Sequence, residues 1–175
     1  MTLEELLIKD VQLSRQIAIP KSLKTLRRAA IFFAHSGDSW FWIGGLGILW
    51  LAGPHAWRHQ INIYLLGILV TAVSVMVLKF SIKRPRPTSE WGDIYRKTDP
   101  HSFPSGHATR AAMLAMLGII VGPPWLGVLL ALWAPLVGLA RISLGVHYIS
   151  DVVVGGGLGI IFGSLVGWFG SLVVG

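Results

Sequence analysis

Cysteine is absent from the 175 residues, which excludes disulfides, thiolate metal ligands and a cysteine nucleophile. Charge is scarce: 13% of the residues are Asp, Glu, Lys or Arg, about half the share in a soluble domain. Acidic side chains are scarcest, eight against 15 basic ones, for a net charge of +7. The first 38 residues lack the continuous apolar core of a secretory signal peptide, so the N-terminus is expected to be retained. No linker long enough to separate domains interrupts the chain, and no aromatic and basic platform for nucleic acid stands out. No histidine and carboxylate spacing suggests a metal site either, and no cofactor is expected.

What fills the sequence instead is apolar: 53% hydrophobic residues and a mean hydropathy of +0.65. Residues 39–57, 59–78, 111–140 and 152–175 hold no Lys, Arg, Asp or Glu. A membrane-spanning helix needs roughly 17–25 mostly apolar residues. The third interval is cut by Gly122-Pro123-Pro124, where a helix must stop. Five spans are therefore predicted, near 39–53, 60–80, 106–121, 125–141 and 152–172. The fold class is all-α, an integral membrane bundle of about five helices in residues 39–175. Residues 1–38 read as amphipathic surface helices split at Pro20, the whole forming one domain. Leu3, Leu6, Leu7 and Val11 make one apolar stripe; Leu23, Leu26, Ala30 and Phe33 make another, opposite Lys24, Arg27 and Arg28.

Three segments carry polar residues that spans normally avoid. In "KFSIKRPRP", Lys79 ends the second span and Arg86-Pro87 follows seven residues later. In "PSGH", Ser105 and Gly106 turn the chain so that His107 falls in the first turn of a helix, whose free N–H groups and dipole attract anions. In "ARISLGVHYISD", Arg141 closes the fourth span, and His147 and Asp151 lie one helical turn apart. That spacing lets the carboxylate accept the imidazole N–H and leaves the other nitrogen free as nucleophile or general base. Taken singly, each segment also reads as ordinary interfacial residues or helix caps. With five spans, however, all three fall at one end of the bundle. Lys79, Arg86 and Arg141 around two histidines and a helix N-terminus suit a tetrahedral anion such as phosphate.

These motifs resemble those of the type 2 phosphatidic acid phosphatases (PAP2), K-x6-R-P, P-S-G-H and S-R-x5-H-x3-D. All three stand here in order over residues 79–151 with matching spacings, except that Ala140 replaces the usual Ser of the third. The resemblance implies a metal-independent lipid phosphatase of the plasma membrane. His147 would be the nucleophile, Asp151 its orienting acid and His107 the proton donor to the leaving group. Lys79, Arg86, Arg141, the Ser105 hydroxyl and the Gly106 N–H would hold the phosphoryl oxygens. Lys83, Arg84 and His101, in the loop before the second motif, could grip a second phosphate or a headgroup, or could be a solvated basic loop on an anionic membrane.

A phosphotransferase, or a lipid-phosphate binder or transporter without catalysis, remains an alternative. Vanadium haloperoxidases resemble the family in their oxyanion site, but they are soluble. Gly155, Gly159, Gly163 and Gly167 recur every fourth residue in the last span, for packing inside the bundle or for a homodimer. Fourteen of the Lys and Arg residues fall on the N-terminal and site side, against Arg58 alone on the other, so the site is expected to face the cytoplasm.

Overall fold

The computed structural model describes residues 2–96 and 98–172, without the Leu3 side chain. Among these residues the structure is helical, with no strand beyond a single Pro85–His101 bridge. Helix α1 (Leu3–Gln16) starts at a capping box: the Thr2 hydroxyl accepts from the Glu5 N–H at 3.2 Å, and the Glu5 carboxylate from the Thr2 N–H at 2.9 Å. Pro20 lies between α1 and α2 (Lys24–Ser36), as expected of the break there. A turn at Gly37-Asp38 leads into α3 (Ser39–Ala52), which ends before Gly53-Pro54. One 3-10 turn, His55–Trp57, precedes α4 (Arg58–Ile82). Then come the short α5 (Glu90–Arg96), α6 (Gly106–Ile120), α7 (Pro124–Ser143) and α8 (Ile149–Leu172).

Apolar helices thus stand at all five expected places. Three of these segments, His55–Ile82, Pro124–Ser143 and Ile149–Leu172, are long and apolar enough to cross a membrane. The other two, α3 with 14 residues and α6 with 15, are shorter. At 1.5 Å per residue each covers only about 21–23 Å of a roughly 30 Å hydrocarbon layer. Outward-facing Leu66, Leu69, Val73 and Val77 on α4, with Ile160, Ile161 and Leu165 on α8, present an apolar surface suited to lipid.

Helix α6 is the axis of the molecule. Its Met113, Leu114 and Leu117 are fully buried and pack with Ile63, Tyr64 and Ile68 of α4 and Leu130 of α7. On its other side lies α8, seated through the glycine strip. A Cβ on Gly155 would lie 2.7 Å from the Ser105 carbonyl, and one on Gly159 would lie 2.2 Å from the Thr109 carbonyl. Gly163 and Gly167 meet Met113, Met116, Leu117 and Ile120 in the same way. The strip is consumed by packing within the chain, the first of the two readings of its spacing, and the alternative of a homodimer through Gly155, Gly159, Gly163 and Gly167 is not supported. A face already buried against α6 is not available to a second copy.

Helices α1 and α2 are fastened to the end of the bundle where α4 and α7 finish and α6 and α8 begin. Asp10 of α1 accepts from Arg84 at 2.7 Å and from the Ser150 N–H at 3.0 Å, while Ser14 accepts from the Ile149 N–H at 2.9 Å. Helix α2 lies on α7, with Ala30 and Ala34 against Ala140 and Leu144.

Candidate active site

Backbone geometry brings the three motifs together. Lys83 closes α4 in the left-handed conformation (φ 54°), turning the chain so that Arg86 points back beneath the bundle. Gly145, at φ 69°, lets the chain leave α7 and place His147 beside it, in a conformation that favours glycine. The Ser105 N–H donates to the Asp151 carbonyl at 2.9 Å, joining the starts of α6 and α8. Around this junction Lys79, Arg86, Ser105, Arg141, His147 and Asp151 are all buried, each 5% exposed or less.

His147 Nδ1 stands 3.5 Å from Asp151 Oδ2, close enough for charge pairing but without hydrogen-bond geometry. Its Nε2 lies 3.3 Å from Arg86 Nη1. A guanidinium can only donate, so Nε2 carries the lone pair and Nδ1 the proton. Burial first, then the positive fields of Arg141, Arg86 and Lys79, hold the imidazole well below its ordinary pKa of 6.5, so the ring is neutral at neutral pH. Asp151 is itself fixed from two sides. Its Oδ1 accepts from Arg84 at 2.6 Å, its Oδ2 from the Tyr148 N–H at 2.9 Å, and Arg84 stacks over Tyr148 at 4.1 Å.

Arg84 therefore does something other than the headgroup contact expected of it: it is bound to Asp10, Ser150 and Asp151. Lys83 is exposed, while the His101 ring packs edge-on against Phe80 at 5.5 Å and its carbonyl accepts from Lys79 at 3.0 Å. Ser105 acts as the cap of α6, its hydroxyl accepting from the Ala108 N–H at 3.5 Å. Ala140, where the motif has serine, is buried against Ala30 and Ala34 of α2.

A cavity of about 200 Å³ reaches both motif histidines. Lys79, Gly106, His107, Arg141 and His147 line its polar end, and Ala72, Val75 and Met76 of α4 form an apolar wall. Arg141 is 1% exposed, and its Nε has no hydrogen-bond partner among the described residues. Its Nη1 donates to the Tyr95 hydroxyl at 3.1 Å, and the guanidinium lies 4.5 Å above the Tyr95 ring. Such a buried, partly unsatisfied cation is a ready binder of an anionic oxygen.

Two acidic residues complete the arrangement without any motif announcing them. Asp99 pairs with both Lys79 and Arg86, at 2.7 Å from Arg86 Nη2. Asp38 Oδ1 lies 2.7 Å from His107 Nε2. A usable signal existed in the composition: a chain with eight acids and several buried cations needs its few carboxylates as partners. Asp10, Asp38, Asp99 and Asp151 all touch the site or its supports.

Residues 60–172 match the model of the PAP2 superfamily. An undecaprenyl-diphosphatase of Sulfolobus acidocaldarius is 28% identical over 141 residues, covering 78% of this chain and 67% of its own length. A decaprenylphosphoryl-5-phosphoribose phosphatase of Mycobacterium tuberculosis is 38% identical over 102 residues, which is 57% of this chain and 55% of that protein. The chain thus spans little more than half the length of that mycobacterial relative. Among solved structures, Aquifex aeolicus LpxE superposes with a TM-score of 0.70 at 28% identity, over 89% of this chain and 92% of the other. The PAP2 type phosphatidylglycerolphosphate phosphatase of Bacillus subtilis superposes with a TM-score of 0.78 at 23% identity, over 97% and 88%. Matching motifs, membrane-type helices and superposable architecture agree: the chain belongs to the PAP2 superfamily, and its relatives there are phosphatases of membrane lipids.

Proposed function

We propose that the chain is an integral membrane lipid phosphatase that removes a terminal phosphate through a phosphohistidine on His147, without a metal cofactor. The observation that carries this reading is the setting of His147, with its Nε2 lone pair beside Arg86 and its Nδ1 facing Asp151. Pure binding needs no nitrogen held in this way, which favours catalysis over a binder or transporter.

In the first step Nε2 attacks phosphorus in line while Arg86, Lys79, Arg141 and the Gly106 N–H stabilise the equatorial oxygens. Asp151 holds the tautomer and stabilises the imidazolium that forms. His107 protonates the leaving oxygen, and then activates the water that hydrolyses the intermediate. The apolar wall of α4 leads to this polar end, as an amphipathic substrate arriving from the bilayer requires. Phosphatidate, phosphatidylglycerol phosphate, polyprenyl phosphates or diphosphates and lipid A-type phosphates all have the needed form.

Five crossing segments, with residues 1–38 on the bilayer surface, put the N-terminus on the same side as the site. The basic residues crowd that side, which supports a cytoplasm-facing site in the plasma membrane. Single cysteines introduced into this cysteine-free chain test the topology. Labelling of residue 9 by an impermeant reagent on intact cells would refute the inward orientation.

The function itself is tested by phosphate release from a panel of lipid phosphates in detergent, with chelator present. Activity that resists chelator and is lost in His147→Ala supports the proposal. A folded wild type inert on every lipid phosphate refutes it, and release only when a second alcohol is supplied points to a transferase.

A further inference from the structure

We infer that Asp38 is the positioning residue of the acid: it accepts the hydrogen bond of the His107 Nε2–H and so makes Nδ1 the atom that delivers a proton to the leaving oxygen. This assignment rests on the phosphohistidine reading above.

The first observation is the pair itself. Asp38 Oδ1 lies 2.7 Å from His107 Nε2, a distance typical of a charge-assisted hydrogen bond. An ionised carboxylate only accepts, so Nε2 must carry a proton. The carboxylate is ionised: burial pushes it up, but the hydrogen bonds from His107 and His35 outweigh that and hold it below the usual range. His107 lines the cavity beside Arg141 and His147, and with Nε2 engaged its only other nitrogen is Nδ1.

A second, independent observation is that the turn bearing Asp38 is clamped onto the start of α6. Arg110 donates to the Gly37 carbonyl. Trp42 Nε1 donates to the Ser36 carbonyl at 2.9 Å, and Trp133 Nε1 to the Ser36 hydroxyl at 2.8 Å. Gly37 lets this turn lie directly on the imidazole, since a Cβ there would come within 3.3 Å of His107 Cδ2 and 3.0 Å of Val137 Cγ1. Asp38 also accepts from Trp40 Nε1 at 3.3 Å and pairs with His35 at 3.1 Å. A carboxylate held at so many points cannot swing away, and a fixed partner fixes the ring.

The proton inventory then closes. His107 enters the step as the imidazolium, its Nδ1 proton supplied by the phosphate monoanion of the substrate; as the bond from His147 Nε2 to phosphorus forms, the bond from phosphorus to the leaving oxygen breaks and its electron pair stays on that oxygen, which takes the Nδ1 proton. His107 is left neutral, with Nε2–H still on Asp38. In the second half Nδ1 accepts a proton from the water that attacks phosphorus, and the pair of the nitrogen–phosphorus bond returns to His147.

Protonation matters only for a poor leaving group, and this gives a readout that loss of structure cannot imitate. Wild type, Asp38→Asn, Asp38→Glu and His147→Ala, as full chains in detergent, are compared on phosphatidate and on 2,4-dinitrophenyl phosphate, whose leaving group needs no proton. Asp38→Asn should lose about 10²-fold in kcat/KM, which reports the step that forms the phosphohistidine, on phosphatidate, the low end for a positioned acid, and less than about threefold in kcat/KM on the aryl ester, with Asp38→Glu recovering part of the loss. Should Asp38→Asn not fold, Gly37→Ala, which pushes on the ring, should show the same divergence between substrates. Equal losses on both substrates, or no loss on either, overturn the assignment. Aryl phosphatase activity that survives in His147→Ala brings down the phosphohistidine reading and the assignment with it; its loss there, with equal factors in Asp38→Asn, overturns the assignment alone.

Discussion

Asp99 Oδ2 accepts from Arg86 Nη2 at 2.7 Å and pairs with Lys79 through the same oxygen, so a carboxylate rests on two of the three cations to which the proposed mechanism gives the phosphoryl oxygens. A phosphoryl group held by both must first displace it. Asp99→Asn removes that competing charge and keeps an acceptor for the buried cations. The inhibition constant for inorganic phosphate should fall by roughly five- to tenfold, about 1.0–1.4 kcal/mol of relieved competition. An unchanged or higher constant would mean that Asp99 and phosphate do not share these cations.

Arg84 holds Asp151 and ties it to Asp10 of α1. Removing one partner of a buried ion pair leaves the other uncompensated, at a cost of about 3–5 kcal/mol. Arg84→Ala should therefore lower the melting temperature and also kcat, because Asp151 then loses its fixed orientation toward His147. Arg84→Lys should keep part of both. A variant that melts normally but shows altered headgroup preference would restore the role read from the loop composition.

The glycines of α8 make a paired test of packing. A Cβ on Gly159 would sit 2.2 Å from the Thr109 carbonyl, whereas one on Gly156 would meet nothing within 4 Å among the described residues. Gly159→Ala should push α8 off α6 and cost about 1–3 kcal/mol or more. Gly156→Ala should be neutral or stabilise, since alanine is the better helix former by about 1 kcal/mol. Thermal unfolding in detergent separates the two. Equal melting temperatures would contradict the close approach of these helices.

His147 should stay neutral well into the acid range, because burial and three nearby cations depress its pKa below 6.5. Ring nitrogen NMR of labelled histidine, with His147→Gln to assign the signal, should show a neutral ring, protonated on one nitrogen only, at pH 6. The sign of the stability effect follows from linkage. Below 6.5 the unfolded chain binds the proton first, so His147's contribution is full above 6.5 and declines as pH falls from there toward the folded-state value. A ring titrating at or above 6.5 would contradict the depression.

How far the sequence could be read depends on whether a residue declares itself by local pattern. The five apolar helices were legible because charge-free intervals and the Gly-Pro-Pro break are local signals, and the motif residues because their spacing fixes them on helix ends. Asp38 and Asp99 were not legible, since each meets its partner 69 and 20 residues away through a turn that only tertiary packing places. In the sequence Arg84 has the look of a loop cation, because nothing local shows that α1 folds back to bring Asp10 against it. The glycine strip declared a close helix contact but not its partner, which α6 supplied.

The central claim is the covalent intermediate on His147. Purified protein with excess chelator would be mixed with phosphatidate carrying a ³²P-labelled phosphate, quenched in base within the first turnovers, and digested for mapping. The account predicts label on the peptide containing His147, labile to acid, chased by unlabelled substrate and absent in His147→Asn. Steady phosphate release with no label on that peptide, or full turnover by His147→Asn, would contradict it.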